Sequence, residues 1–149
     1  MQIRKAQPQD CEAIVFGNCA MALETENKKL DKKRVTKGVK ALLNDESKGF
    51  YIVAEENGEV IGQLMITYEW SDWRNGTFWW IQSVYIAKEH RRKGVYTRLY
   101  AYIREKCQEH NVCGIRLYVD KNNVNARQTY EKLGMEFSHY DFMEEDFVL

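Results

Sequence analysis

The chain has 149 residues and a mass of 17.7 kDa, the size of one domain with its own core, since single domains most often run to about 100–150 residues. Its 44% hydrophobic and 13% aromatic content excludes intrinsic disorder. Twenty-two Lys plus Arg balance twenty-two Asp plus Glu, so no global field draws in nucleic acid or anionic lipid, and neither is expected as a partner. The cysteines Cys11, Cys19, Cys107 and Cys113 and the histidines His90, His110 and His139 show no zinc-ligand spacing, and no metal is expected. The start lacks the apolar stretch of a signal peptide, and no apolar run reaches bilayer length; we expect a cytoplasmic protein with reduced thiols and no membrane partner.

Ile3 to Ala6 reads as a short strand. Pro8 and Asp10 then signal a helix start before Ile14, Val15, Asn18 and Ala22 at helical spacing, and this helix is expected to end near Glu24. Asp31 is placed to cap a second helix carrying Val35, Val39, Leu42 and Leu43, closed by Asn44 to Gly49. Phe50–Glu55 and Val60–Trp70 read as strands around an Asn57-Gly58 turn, and Asn75-Gly76 is a second hairpin signal. Phe78 to Ile86, rich in aromatic and β-branched residues, is the best central strand. Gly94-Val95 opens a helix with Val95, Leu99, Ile103 and Cys107 on one side. Ile115 to Val119 reads as a strand, Asn123 leads a short helix with Ala126, Tyr130 and Leu133 on one face and Gly134 as its stop, and a last extended stretch runs through Phe137 and Phe142 to Phe147. The order implies a mixed α/β sheet, and with one proline and no Gly/Ser linker residues 1–149 are expected to form a single domain.

The junction Arg91-Arg92-Lys93-Gly94-Val95-Tyr96 follows the best strand and opens the best helix. Unpaired amides at a helix start, backed by the positive end of its dipole, suit an anion, and a glycine admits phosphate oxygens close to the backbone. A solvated basic helix start explains the same composition. No GxxxxGK[ST] and no GxGxxG occurs here, so a phosphate at this junction is held by neither a P-loop nor a dinucleotide fingerprint. A second constellation joins Asn123, Ala126, Tyr130, Gly134 and Met135; by itself, Tyr130 reads as a core tyrosine with a satisfied hydroxyl.

Together these two constellations resemble the GNAT N-acetyltransferases, which move an acyl group from coenzyme A to an amine. The family's R/Q-x-x-G-x-G/A stands here as Arg91-x-x-Gly94-x-Tyr96, with Tyr96 departing at the last position. Its N-x-x-A-x-x-x-Y-x-x-x-G-F pattern stands as Asn123, Ala126, Tyr130, Gly134 and Met135, with Met in place of Phe. The resemblance implies an α/β (α+β) fold with a mixed, mainly antiparallel twisted sheet, helices on both faces and a splayed central strand pair. It also implies acetyl-CoA as cofactor. The backbone of Val84, Tyr85 and Ile86 is then expected to hold the pantetheine arm, and the amides from Arg92 through Lys93, Gly94, Val95 and Tyr96 to Thr97 the pyrophosphate, with Arg91 and Asn123 among the cofactor-binding residues. A distorted strand at this point would free N–H groups to polarise the thioester carbonyl. Tyr130 would donate a proton to the departing thiolate, a thiol of pKa about 8.5 and a phenol of about 10 being well matched.

An alkylammonium of pKa about 10.4 must lose a proton before it attacks. Some family members carry a glutamate at what corresponds to Gln82, and a glutamine cannot accept that proton. Deprotonation would then fall to another carboxylate, to Tyr85, or to water held by Gln82 and Ser83. Glu24, Glu26, Glu69 and Asp72 are the candidate carboxylates, although each also reads as a solvated surface charge. Tyr68, Trp70, Trp73, Trp79 and Trp80 read as hairpin packing or, interleaved with acids, as an acceptor wall for a cation. The expectation is direct acetyl transfer to a primary amine of a small cationic molecule, with Gln82 and Tyr130 as the catalytic pair and Glu24, Glu26, Glu69, Asp72 and Trp80 facing the substrate. Competing readings are a non-catalytic acyl-CoA-binding module and a protein or peptide N-acetyltransferase; the exposed aromatics also suit a homodimer.

Overall fold

The computed structural model describes residues 1–149. Its strands are β1 (Gln2–Lys5), β2 (Phe50–Glu56), β3 (Glu59–Ser71), β4 (Gly76–Ile86) and β5 (Val112–Arg116), and its helices α1 (Cys11–Glu26), α2 (Lys32–Leu43), α3 (Val95–Glu109) and α4 (Val124–Lys132). The five strands form one sheet in the order β1-β2-β3-β4-β5. The first three pairings are antiparallel, and β4 with β5, joined through α3, is parallel. Contacts divide the chain into two compact units, Met1–Tyr118 with the sheet and α1 to α3, and Val119–Leu149 with α4 and the C-terminal tail.

Local chemistry accounts for the element boundaries. Asp31 Oδ1 caps α2 by accepting from the amides of Lys33 at 2.9 Å and Arg34 at 3.4 Å. Asn57 and Gly58, at φ +53° and +82°, supply the two left-handed residues of a tight hairpin between β2 and β3. The turn Pro8–Asp10 leads into α1, where Asp10 Oδ2 accepts from the Gln7 amide at 2.7 Å.

Alternation along the strands sorts the core onto two faces. Tyr51 and Val53 of β2 pack with Cys11, Ile14 and Val15 of α1 and Val39 and Leu42 of α2. On the opposite face α3 lies across the sheet: a Cβ on Gly62 of β3 would stand 3.0 Å from the side chain of Val95. Ile14, Ile52, Leu64, Ile66, Leu99 and Ile103 are fully buried, and each such side chain contributes about 1.5–3 kcal/mol of transfer free energy. β5 pairs with β4 only as far as Trp80, whereas β4 continues to Ile86, so the two strands part ahead of the stretch 81–86. The mixed sheet, the helices on both faces and the splayed pair are as expected.

Two boundaries are corrected. The strand expected at Ile115–Val119 lies at Val112–Arg116, because Asn111, left-handed at φ +52°, reverses the chain directly after α3 and the parallel register sets Thr77 beside Val112 and Trp80 beside Arg116. The stretch expected to extend through Phe137, Phe142 and Phe147 forms no strand. Its polar side chains bond nearby amides instead: Ser138 Oγ accepts from Tyr140 at 3.2 Å, and Asp146 Oδ1 from Val148 at 2.7 Å and Leu149 at 2.9 Å.

Candidate active site

The register of β3 against β4 carries one irregularity, and it falls in the expected place. Met65 pairs with Gln82 and Gln63 with Tyr85, so Leu64 alone opposes Ser83 and Val84. This is a β-bulge, and Ser83 adopts φ +51°, the left-handed region that few side chains visit. The bulge breaks the ladder of amides and carbonyls and turns backbone donors out of it, the raw material of an oxyanion site.

Beyond β4 the chain passes through the turn Lys88–His90 into α3. The Arg91 amide bonds to the Lys88 carbonyl at 3.3 Å, and the Arg98 amide bonds to the Gly94 carbonyl at 3.1 Å. The amides of Arg92, Lys93, Gly94, Val95 and Thr97 therefore donate to no backbone carbonyl. Arg92 and Gly94 have φ of +59° and +77°, a looped path that gathers successive amides around one point, at the positive end of a helix of 15 residues. Nothing lies within 4 Å of where a Cβ on Gly94 would be, so the backbone is open to a ligand there. These features fit a diphosphate.

Arg91 itself is spoken for. Its Nε donates to the Ile86 carbonyl at 2.9 Å and its Nη2 to Glu24 Oε2 at 2.7 Å, while Lys88 Nζ stands 3.6 Å from Glu24 Oε1. The side chain thus braces the end of β4 against the end of α1. Glu24, expected to face an amine, is held by two cations of this junction. Glu26 pairs at the surface with Lys28 at 3.6 Å, and Asp72 accepts from the Trp73 amide at 2.9 Å within the β3–β4 turn. Neither joins Gln82.

Glu69, Trp80 and Gln82 do share one face of the sheet, the face covered by α1, since their pairing partners Phe78, Thr67 and Met65 alternate along that face. Gln82 Nε2 donates to Thr67 Oγ1 at 2.6 Å, leaving Oε1 to accept. Trp80 packs on Tyr118 with ring centroids 5.9 Å apart. Glu69 is bonded by Arg116, whose guanidinium lies 3.7 Å over the Phe78 ring. The aromatic wall is corrected by the same alternation. Trp79 points to the other face, 5.1 Å from Phe50, beside Tyr68, and Trp73 is solvent-exposed on the turn. Thr67, Arg116 and Tyr118 escaped the sequence reading, because only the assembled sheet, with the chain leaving β5, brings them beside Trp80 and Gln82.

Tyr85 lies edge-on to Phe16, with centroids 6.2 Å apart, and burial, followed by the Glu24 charge, raises its pKa. A phenol so perturbed is protonated at neutral pH and poorly suited as the base. Burial pushes the Cys107 thiol up to about 11, which leaves it inert as a nucleophile. In the second unit, Asn123 Oδ1 caps α4 by accepting from the Ala126 amide at 3.2 Å. Gly134 at φ +92° follows the helix end, and burial raises the pKa of Tyr130.

The pattern of the acetyltransferase (GNAT) family, whose members use acetyl-CoA, matches residues 18–135. A possible acetyltransferase from Clostridium difficile 630 is 50% identical and superposes with a TM-score of 0.91 over 99% of this chain and 98% of its own. A predicted acetyltransferase with acetyl-CoA from Clostridium acetobutylicum shares the fold at 22% identity, with a TM-score of 0.78 over 97% of this chain and 95% of that one. Streptothricin acetyltransferase A of Bacillus subtilis (strain 168) is 29% identical over 90 residues, 60% of this chain; the matched stretch spans about half, 49%, of that relative. With the bulged central strand and the open amide cradle in place, the match over most of its length shows that this chain belongs to the acetyltransferase (GNAT) family.

Proposed function

We propose that this protein binds acetyl-CoA and directly acetylates the primary amine of a small cationic molecule, with no covalent enzyme intermediate. The observation that carries the reading is the succession, along one continuous stretch from Gln82 to Thr97, of a bulge and of the amides of Arg92, Lys93, Gly94, Val95 and Thr97 without backbone acceptors. Bound acetyl-CoA supplies the acetyl group as an activated thioester. The amides of residues 92–97 hold its diphosphate, the β4 backbone at Val84, Tyr85 and Ile86 holds the pantetheine arm, and the bulge aims a donor where carbonyl charge develops. Tyr130, assigned by its motif, keeps its proton at Oη at neutral pH, available for a thiolate. Gln82 Oε1 accepts a hydrogen bond from the ammonium, or from a water that carries the ammonium's proton out to bulk solvent, while Thr67 fixes the Gln82 amide. A cationic acceptor is favoured by the Trp80 and Tyr118 rings and by Glu69, for which it competes with Arg116.

Calorimetric titration with acetyl-CoA, followed by CoA-thiol release with streptothricin, polyamines, aminoglycosides, amino acids and peptides, tests the proposal. Binding together with turnover on a small cationic amine is expected. Binding without turnover on any amine would make the chain an acyl-CoA-binding module, turnover confined to peptides would make it a peptide acetyltransferase, and no binding would remove the cofactor assignment.

A further inference from the structure

Beneath α1, on the sheet face that carries Gln82, runs a chain of polar side chains at positions where a core calls for apolar ones. Gln63 is 1% and Asn18 8% exposed. Gln63 Nε2 donates to Asn18 Oδ1 at 2.8 Å and to the Ile14 carbonyl at 3.3 Å, and Asn18 Nδ2 donates to the phenol oxygen of buried Tyr51 at 3.1 Å. The side chain of Ser83 lies beside the Tyr51 hydroxyl. One end of this chain is therefore the residue opposite Tyr85, and the other is the left-handed residue of the bulge.

Two further observations show that the arrangement is imposed on the core. Gln63 Oε1 is buried without a hydrogen-bond partner. α1 approaches so closely that a Cβ on Gly17 would stand 2.5 Å from that oxygen. Partly satisfied buried networks are less stable than apolar packing of the same volume. A non-glycine residue at positive φ persists only where its surroundings over-determine it.

We infer that the Gln63–Asn18–Tyr51–Ser83 chain is a positioning device that locks Ser83 in its left-handed conformation and so fixes the direction of the bulge amides at the reacting carbonyl. The inference rests on the acetyl-transfer reading above. None of the four side chains is a catalytic residue; each acts through the backbone of residues 83 and 84. Donors aimed at charge that develops during reaction change turnover and leave ground-state binding nearly untouched.

The test compares Tyr51→Phe, Ser83→Gly and the double variant. Each single change is expected to lower kcat about tenfold with KM for acetyl-CoA within about twofold, a loss of alignment without loss of the donor itself. Ser83→Gly is expected to melt no lower than the parent, since glycine adopts φ +51° freely, which separates positioning from stability. The double variant is expected to be no slower than the slower single, because both changes cut one chain. Unchanged kcat in the singles, or losses that multiply in the double, would overturn the device. Hydrogen exchange at the amides of Gln82 and Tyr85, without any ligand, is expected to quicken in both singles; unchanged exchange would overturn it as well. Failure of the parent to bind acetyl-CoA or release thiol would strike the functional reading alone, with exchange still deciding the device.

Discussion

Gly94 combines two demands at one position. At φ +77° any other residue is strained, and the empty space around its missing Cβ is where phosphate oxygens would sit. Gly94→Val should cost about 1–3 kcal/mol of stability through strain and weaken acetyl-CoA binding by at least about tenfold; parent-like affinity by calorimetry would dismiss the cradle. Tyr130 makes the second residue-scale prediction. Burial disfavours the phenolate, so its pKa lies above the ordinary value of 10.0 and the hydroxyl keeps its proton as pH rises. In its proposed role as proton donor it would stay active through neutral pH and fail only in alkali, above that ordinary value. Tyr130→Phe should lower kcat about hundredfold with little change in KM, and the alkaline fall in the parent's kcat profile should vanish in the variant.

At the scale of elements, an ionic knot ties β1, the turn before α1 and β2 together. Arg4 grips Asp10 with both Nη atoms, at 2.7 and 2.9 Å, and Glu55 with Nε and Nη2, at 2.8 and 2.6 Å. The Arg4 hydrogen bonds are the main cause that holds the Asp10 carboxyl below its ordinary 3.8, and burial opposes them. A folded-state value depressed in this way stabilises the protein fully above the unfolded pKa and is lost as pH falls through the folded one. Acid should therefore erode stability from about pH 4 downward. Asp10→Asn should cost about 3 kcal/mol at pH 7, the low end for a broken buried pair because Arg4 keeps Glu55. It should also flatten the acid dependence, which denaturant unfolding at pH 7 and pH 3 would measure.

For the whole molecule the division of burial is decisive. The unit Met1–Tyr118 contains every buried residue, whereas none from Val119 to Leu149 is buried. Local opening costs least where few apolar contacts must be broken. Amides of α4 should exchange with solvent well before those of β2 and β3, as read by hydrogen-exchange mass spectrometry; equal protection would show that the second unit opens only with the first.

Features made by neighbours in the chain were readable from the chain alone. The Asp31 cap, the Asn57-Gly58 turn and the Gly94 junction each depend on a few consecutive residues, whose side chains or φ preferences act locally. So the order of elements as far as α4 and the mixed sheet followed from sequence, and the paired motifs carried the family. Strand register is another matter, because shifting a pairing by one residue exchanges the faces. Only the assembled sheet sends Trp79 to one side and Trp80 to the other, and opposes Leu64 with both Ser83 and Val84. The Glu24–Arg91 brace joins residues 67 apart, and the Gln63–Asn18 bond residues 45 apart. Such contacts are chosen by how helices pack on a particular register, a choice made by the tertiary fold because no local preference encodes it.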